Sequence, residues 1–266
     1  MDRRLALVTG ASAGIGAAFA RVLARHGYDV ALTARRAERL QALAGEISLR
    51  DGVEALTIAA DLAEPAAPGR ILDHLAAHGR TVDFLVNNAG YGLPGSYAAT
   101  RWEDQGAMIQ VMMTAPAELA HRVLPGMIDR RFGRIVNVAS LAGLLPGSGG
   151  QTLYGAVKSF LIKFSQSLHL EAAGQGVHVT ALCPGFTYSE FHDVNGMRAQ
   201  ISAATPRWIW MDADEVAKAG YAAVEANKAI SVPGAANKVI AALAKLVPDD
   251  LALAVMASQG PRFRKL

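Results

Sequence analysis

Seven short apolar runs, at residues 5–8, 30–33, 55–59, 84–86, 135–138, 177–182 and 230–232, recur between longer stretches whose apolar residues repeat with a helical period. Runs of this length, rich in valine, leucine and isoleucine and apolar on both faces, suit strands of a parallel sheet covered by helices on both sides. Regular alternation of such strands with helices predicts an α/β chain folded as a doubly wound sheet. The 266 residues fit a single domain of this kind, 1–266, with one large core. No internal repeat interrupts the alternation, and the Gly/Pro-rich pieces 65–69 and 144–150 read as loops. Residues 186–210 are less periodic and follow the sixth strand, where loops beyond strand carboxyl ends line the ligand crevice. They are read as an inserted substrate lid, 188–210 above all, and residues 233–266 as a C-terminal helical extension.

Composition narrows the function classes. At 52% hydrophobic and 18% charged the chain is not disordered. A net charge of +3, with basic residues scattered apart from short clusters such as Arg35-Arg36 and Arg130-Arg131, supplies no stripe for nucleic acid. The lone cysteine, Cys183, excludes an internal disulfide and reads as a buried thiol in a reducing compartment, so the cytoplasm is the expected location. The apolar stretch after Arg3-Arg4 is broken at Thr9-Gly10, unlike a signal peptide, and the late run 251–257 is too short to span a bilayer. The histidines, His169, His178 and His192 among them, show no metal-ligand spacing, and no metal is expected.

Chemistry concentrates at two places. The first strand runs into Thr9-Gly10-Ala11-Ser12-Ala13-Gly14-Ile15-Gly16 and then a helical stretch. A glycine-rich turn between strand and helix lets the backbone approach a pyrophosphate, which the free N–H groups and dipole of the helix N-terminus stabilise. Glycines serving only positive φ would give the same spelling, but the strand before and helix after favour dinucleotide binding. Farther on, Tyr154 and Lys158 stand four residues apart, adjacent on one face of a helix, and Tyr154 is the only one of six tyrosines with lysine at that offset.

The glycine spacing resembles the T-G-x-x-x-G-x-G motif of the short-chain dehydrogenase/reductase family. The resemblance continues through Asp61-Leu62 after the third strand, Asn87-Asn88-Ala89-Gly90 after the fourth and Ser140 after the fifth. Tyr154 and Lys158 follow in the next helix, and Pro184-Gly185 after the sixth strand. Markers in this order identify the chain as a member, which implies a Rossmann-type, seven-stranded, mainly parallel sheet. It also implies roles. Gly10, Ser12, Gly14, Ile15 and Gly16 would hold the pyrophosphate, Asp61 and Leu62 the adenine, and Asn87, Ala89 and Gly90 the adenosine ribose wall while bracing the fourth strand. Pro184 and Gly185 lead to Thr187 or Ser189 for the nicotinamide carboxamide.

Where NAD-selective folds carry an acid for the ribose 2′-hydroxyl, this chain has Ala34 followed by Arg35-Arg36. Arg35, helped by Ser12 or Arg36, is therefore expected to bind a 2′-phosphate and favour NADP(H) over NAD(H), although Ala13 lacks the basic residue of some NADP-preferring relatives.

Hydride transfer to a carbonyl builds charge on its oxygen, which needs a proton from a placed acid, and the family gives Tyr154 that role. Lys158 is expected to lower the phenol pKa and bind the nicotinamide ribose, and Ser140 to bind the substrate oxygen. One residue departs from the pattern: Met112 stands where the family usually has an asparagine that holds a relay water, and a thioether cannot replace an amide.

Tyr91, Leu93, Leu145, Gln151, Phe186 and Phe191, with Met197 and Trp208 beside them, are expected to line a mostly apolar substrate pocket. The expected activity is reduction of a ketone or aldehyde and oxidation of an alcohol by a homodimer or homotetramer. A weakly active nucleotide-binding sensor or scaffold is the alternative, and an epimerase on the related extended fold is disfavoured by the short C-terminal portion.

Overall fold

Alternation along each strand decides how the sheet is covered. The computed structural model describes residues 3–93, 95–190, 206–248, 250–254 and 256–257. In β1 (Leu5–Thr9), Ala6 and Val8 face one helix layer while Leu5 and Leu7 face the other. The first layer holds α1 (Gly14–Arg25), α2 (Ala37–Asp51) and α7 (Ala213–Glu225), packed through Phe19, Leu40, Ile47 and Val216. The second layer holds α3 (Ala67–Ala77), α4 (Trp102–Ile109), α5 (Ala115–Asp129) and α6 (Thr152–Glu171), through Ile71, Met108, Leu119 and Val157.

Between the layers lie β1, β2 (Asp29–Ala34), β3 (Ala55–Ala59), β4 (Val82–Asn87), β5 (Gly133–Val138), β6 (Val177–Leu182) and β9 (Ile230–Ser231). They form a seven-stranded sheet in the order β3-β2-β1-β4-β5-β6-β9, each neighbouring pair parallel. The Rossmann-type doubly wound architecture expected of the chain is the one observed. β3 differs in one respect: read as apolar on both faces, it is half-exposed along its length, because it is an edge strand with one neighbour.

Two local features were not expected. Gln110–Thr114 between α4 and α5 is a π-helical turn. Pro116, at the start of α5, has no N–H for the carbonyl four residues back, and the loss of that bond favours the wider turn. In addition β7 (Thr187–Tyr188) pairs in parallel with β8 (Met211–Asp212), tying the two ends of the expected lid together. Residues 191–205, including Phe191 and Met197, lie outside the described residues. The extension after residue 233 contains α8 (Ala235–Ala244) and helical residues 250–254 and 256–257.

Candidate active site

Connections from β1 pass to β2 on one side and, after β3, to β4 on the other, so a crevice opens at the carboxyl ends of β1 and β4. Thr9 locks its two walls together. Its Oγ1 accepts from the N–H groups of Asn88 (2.9 Å) and Ala89 (3.0 Å) and donates to Val86 O, and Asn88 Nδ2 donates to Thr9 O and Gly10 O. Gly10 has φ 66°, and a Cβ there would sit 2.8 Å from Ala89 Cα; a Cβ at Gly16 would collide with the Gly10 carbonyl. α1 then starts at Gly14 with no side-chain cap and no acid in its first turn, leaving its N–H groups to an anion. A dinucleotide pyrophosphate fits this cradle. Thr9→Val removes the acceptor for two amides in a buried position, so a stability loss of about 2 kcal/mol is expected in denaturant unfolding, with weaker dinucleotide binding. A variant as stable as wild type would show that the two turns do not depend on the hydroxyl.

Asn87 braces the fourth strand. Its side chain is buried, with Nδ2 donating to Pro116 O (3.2 Å) and Asn137 Oδ1 (2.9 Å). Asn137 Nδ2 donates to Ser165 Oγ (2.8 Å), which donates to Leu161 O. This polar chain ties α5, β4, β5 and α6 beneath the crevice. Asn137 and Ser165 were not singled out from the sequence. The available signal was an asparagine inside the apolar Val136-Asn137-Val138, since a buried amide needs partners.

Ser140 follows β5 and caps the 3-10 turn Leu141–Gly143, its Oγ accepting from Ala142 N–H (3.1 Å). Ser140 also hydrogen-bonds Tyr154. The turn is pressed onto α6: a Cβ on Gly143 would lie 2.6 Å from the Lys158 carbonyl carbon, and Ser159 Oγ donates to Gly143 O (2.7 Å). Lys158 is buried, 5% exposed, with Nζ donating to Val138 O (2.7 Å) and standing 5.8 Å from the centre of the Tyr154 ring.

Burial dominates both titrations. It pushes the Lys158 ammonium down to about 8, and it pushes the Tyr154 phenol up, against partial relief from the Ser140 hydrogen bond. The Lys158 ammonium is directed at a strand carbonyl, and at the phenol burial outweighs the Ser140 hydrogen bond. As it stands, the phenol is a retained proton, suited to donation.

The other expected cofactor residues are distributed along the crevice. Asp61 Oδ1 accepts from Ala63 N–H (3.0 Å), Leu62 is buried, and Ile15 packs on the first-layer core. Pro184 O accepts from Leu141 N–H (2.8 Å), and Gly185 closely approaches the buried Asn237 of α8. Of the two carboxamide candidates, Thr187 is buried and donates to Gly185 O (3.1 Å), whereas Ser189 lies over the phosphate turn, its Cβ 2.9 Å from where a Gly14 Cβ would be. Arg36 donates twice to Ser12 Oγ (2.9 and 3.3 Å), while Arg35 is exposed and, among the described residues, forms no ion pair.

Expected substrate residues fall into separate groups. Tyr91 and Leu93 pack with Tyr154 on the second-layer core, where Met112 is fully buried and its Cε lies 3.2 Å from a Cβ placed on Gly90. Phe186 and Tyr188 both pack on Trp210, at ring separations of 5.4 and 4.9 Å, while Trp208 is exposed. Leu145 and Gln151 line a cavity of about 240 Å³ with Pro146, Gly155 and Met256; Ser140, Tyr154 and Lys158 are not in its lining. A larger cavity, about 400 Å³, lies among Arg4, Tyr28 and Phe132, before the amino ends of β1, β2 and β5 and so away from the crevice.

Comparison with known proteins agrees with this geometry. Residues 4–198 match the short chain dehydrogenase family. The chain is 40% identical over 183 residues, 68% of its own length and 71% of the relative's, to the NADP-dependent 3-hydroxy acid dehydrogenase YdfG of Salmonella typhi. Among solved structures it is similar to a short-chain dehydrogenase from Sphingobium yanoikuyae in complex with NADPH, with TM-score 0.80, 33% identity and coverage of 96% of this chain and 95% of that one. It is also similar to the bulky-bulky ketone specific alcohol dehydrogenase from Comamonas testosteroni, with TM-score 0.75, 27% identity and coverage of 98% and 94%. The chain belongs to the short-chain dehydrogenase/reductase family and is an oxidoreductase.

Proposed function

From that membership we propose that the protein interconverts a ketone or aldehyde and an alcohol with NADP(H) in preference to NAD(H), Tyr154 serving as general acid and base. The observation that carries the reading is the hydrogen-bonded Ser140–Tyr154 pair, braced by buried Lys158 at the crevice where the glycine turn opens. When bound, the dinucleotide supplies a hydride to the carbonyl carbon or accepts one from the alcohol carbon.

The chain's own groups manage the oxygen. Ser140 keeps its hydroxyl oriented by the Ala142 N–H and hydrogen-bonds the substrate oxygen, stabilising charge as it develops. Tyr154 delivers the proton in reduction and removes it in oxidation. Lys158 anchors α6 to the end of β5 and would hold the ribose side of the nicotinamide. Gly10, Gly14 and Gly16 admit the pyrophosphate, and Arg35, Arg36 and Ser12 favour a 2′-phosphate. Tyr91, Leu93 and Phe186 supply apolar walls for the substrate, and 1–266 acts as one domain in a cytoplasmic homodimer or homotetramer. Support for NADP(H) comes from relatives described as NADP-dependent or bound to NADPH, and from the absence of an acid at Ala34.

The test is loss of reduced-nicotinamide absorbance with NADPH and with NADH against a panel of ketones and aldehydes. Turnover is expected with at least one carbonyl, with kcat/KM at least about tenfold higher for NADPH, a difference of about 1.4 kcal/mol. Tight NADPH binding without turnover of any carbonyl or alcohol would instead favour a sensor, and equal use of both cofactors would remove the preference.

A further inference from the structure

The arginines at the start of α2 already hold an anion, and it belongs to the chain itself. Arg36 Nη1 donates to Glu190 Oε2 (2.9 Å), and Arg39 Nη1 pairs with Glu190 Oε1, so one carboxylate bridges two guanidinium groups. Arg36 also reaches Ser12 Oγ through Nε and Nη2, which fixes the cluster to the glycine turn. Glu190 is more than 150 residues distant in sequence and follows directly on β7, with Ser189 laid against Gly14. Residues 189 and 190 thus run from the phosphate turn to the end of β2, along the line a dinucleotide's phosphates would take toward its adenosine ribose. The three side chains are a third to a half exposed, so an incoming anion can reach them. The two arginines also hold the Glu190 carboxyl below its ordinary range.

We propose that Glu190 is an internal competitor for the cofactor 2′-phosphate, occupying Arg36 and Arg39 beside Ser12 until NADP(H) displaces it. A 2′-phosphate carries up to two charges and three acceptor oxygens where Glu190 offers one charge and two, so the phosphate is the stronger ligand for a pair of guanidinium forks. NAD(H), with a neutral 2′-hydroxyl, cannot make the exchange and leaves Glu190 in place. The same residue therefore weakens NADP(H) binding somewhat while giving NAD(H) no matching reward. Arg39 joins the 2′-phosphate site as a residue the glycine motif and the β2 end do not reveal.

This rests on the NADP(H) reading above, and the experiment separates the two. Dissociation constants are measured for NADPH, NADH, 2′,5′-ADP and 5′-AMP with wild type, Glu190→Gln, Arg36→Gln and Arg39→Gln, after circular dichroism has matched their folds. Two exposed ion pairs are each worth under about 1 kcal/mol, so Glu190→Gln is expected to tighten NADPH and 2′,5′-ADP by about three- to tenfold and leave NADH and 5′-AMP unchanged. Each arginine variant is expected to weaken only the two 2′-phosphorylated ligands. If the arginine variants weaken NADPH while Glu190→Gln changes nothing, the NADP(H) reading stands and the competitor is overturned. Equal tightening of NADPH and NADH in Glu190→Gln would overturn it as well, since Glu190 would then obstruct the whole cleft. If wild type binds NADPH no better than NADH and the arginine variants change neither, both ideas fail together.

Discussion

Tyr154→Phe is expected to lower kcat by about three orders of magnitude, within the range general acid–base groups contribute, with little change in dinucleotide affinity. The ring stays, so its packing on the second-layer core with Tyr91 and Leu93 is preserved. What disappears is the hydroxyl that Ser140 hydrogen-bonds and that would carry the proton. Burial raises the phenol pKa, so the wild-type group is protonated throughout the neutral range. In the sign that follows, reduction holds steady at neutral pH and declines only as alkaline pH strips the acid, whereas oxidation gains there. Steady-state kinetics in both directions, with a pH profile for each, make the comparison. A phenylalanine variant that kept more than a tenth of wild-type kcat, or the same pH profile, would remove Tyr154 from the proton's path.

The sheet was legible because its central strands are buried on both faces, and such strands must spell continuous apolar runs. Thr9, the glycines and Pro184-Gly185 were legible for a related reason: where backbone approaches backbone, only particular residues fit, and Gly10 and Gly16 leave no room for a Cβ. Asn87 shows the limit. Its place in a known motif suggested a brace for the fourth strand but not its partners: its amide joins the Asn137–Ser165 chain, a pairing set by the register of β4 with β5, Asn87 opposite Asn137. No local pattern encodes that. The π turn at Gln110–Thr114 and the pairing of β7 with β8 were missed likewise, one depending on a proline two residues past the turn, the other on strands of two residues each. The cluster of Arg36, Arg39 and Glu190 brings together residues more than 150 positions apart, and charge spacing alone cannot show it.

Lys158→Met is expected to make the protein inactive and more stable at once. Lys158 Nζ is held in a site where burial depresses its pKa from 10.5 to about 8. Below pH 8 the lysine is charged both folded and unfolded, and the fold bears the full cost of the buried charge, about 3 kcal/mol from that shift. Between the two values the unfolded chain binds a proton that the folded chain does not, so wild-type stability rises with pH across that window. Methionine has similar length and no charge, and it forfeits the hydrogen bond to Val138 O, worth about 1 kcal/mol. The net expectation at neutral pH is a gain of about 2 kcal/mol, shrinking toward zero and reversing by the ordinary lysine pKa. Catalysis moves the other way, with a loss of at least about a hundredfold, because a preorganised charge beside the reacting groups is gone. Thermal unfolding of both proteins from neutral to strongly alkaline pH, with kcat measured at each pH, tests the pair of effects. Parallel stability curves, or a variant less stable than wild type at neutral pH, would mean that the Lys158 charge is not strained by burial. Converging curves would show a group whose destabilising burial is retained because the reaction needs its charge.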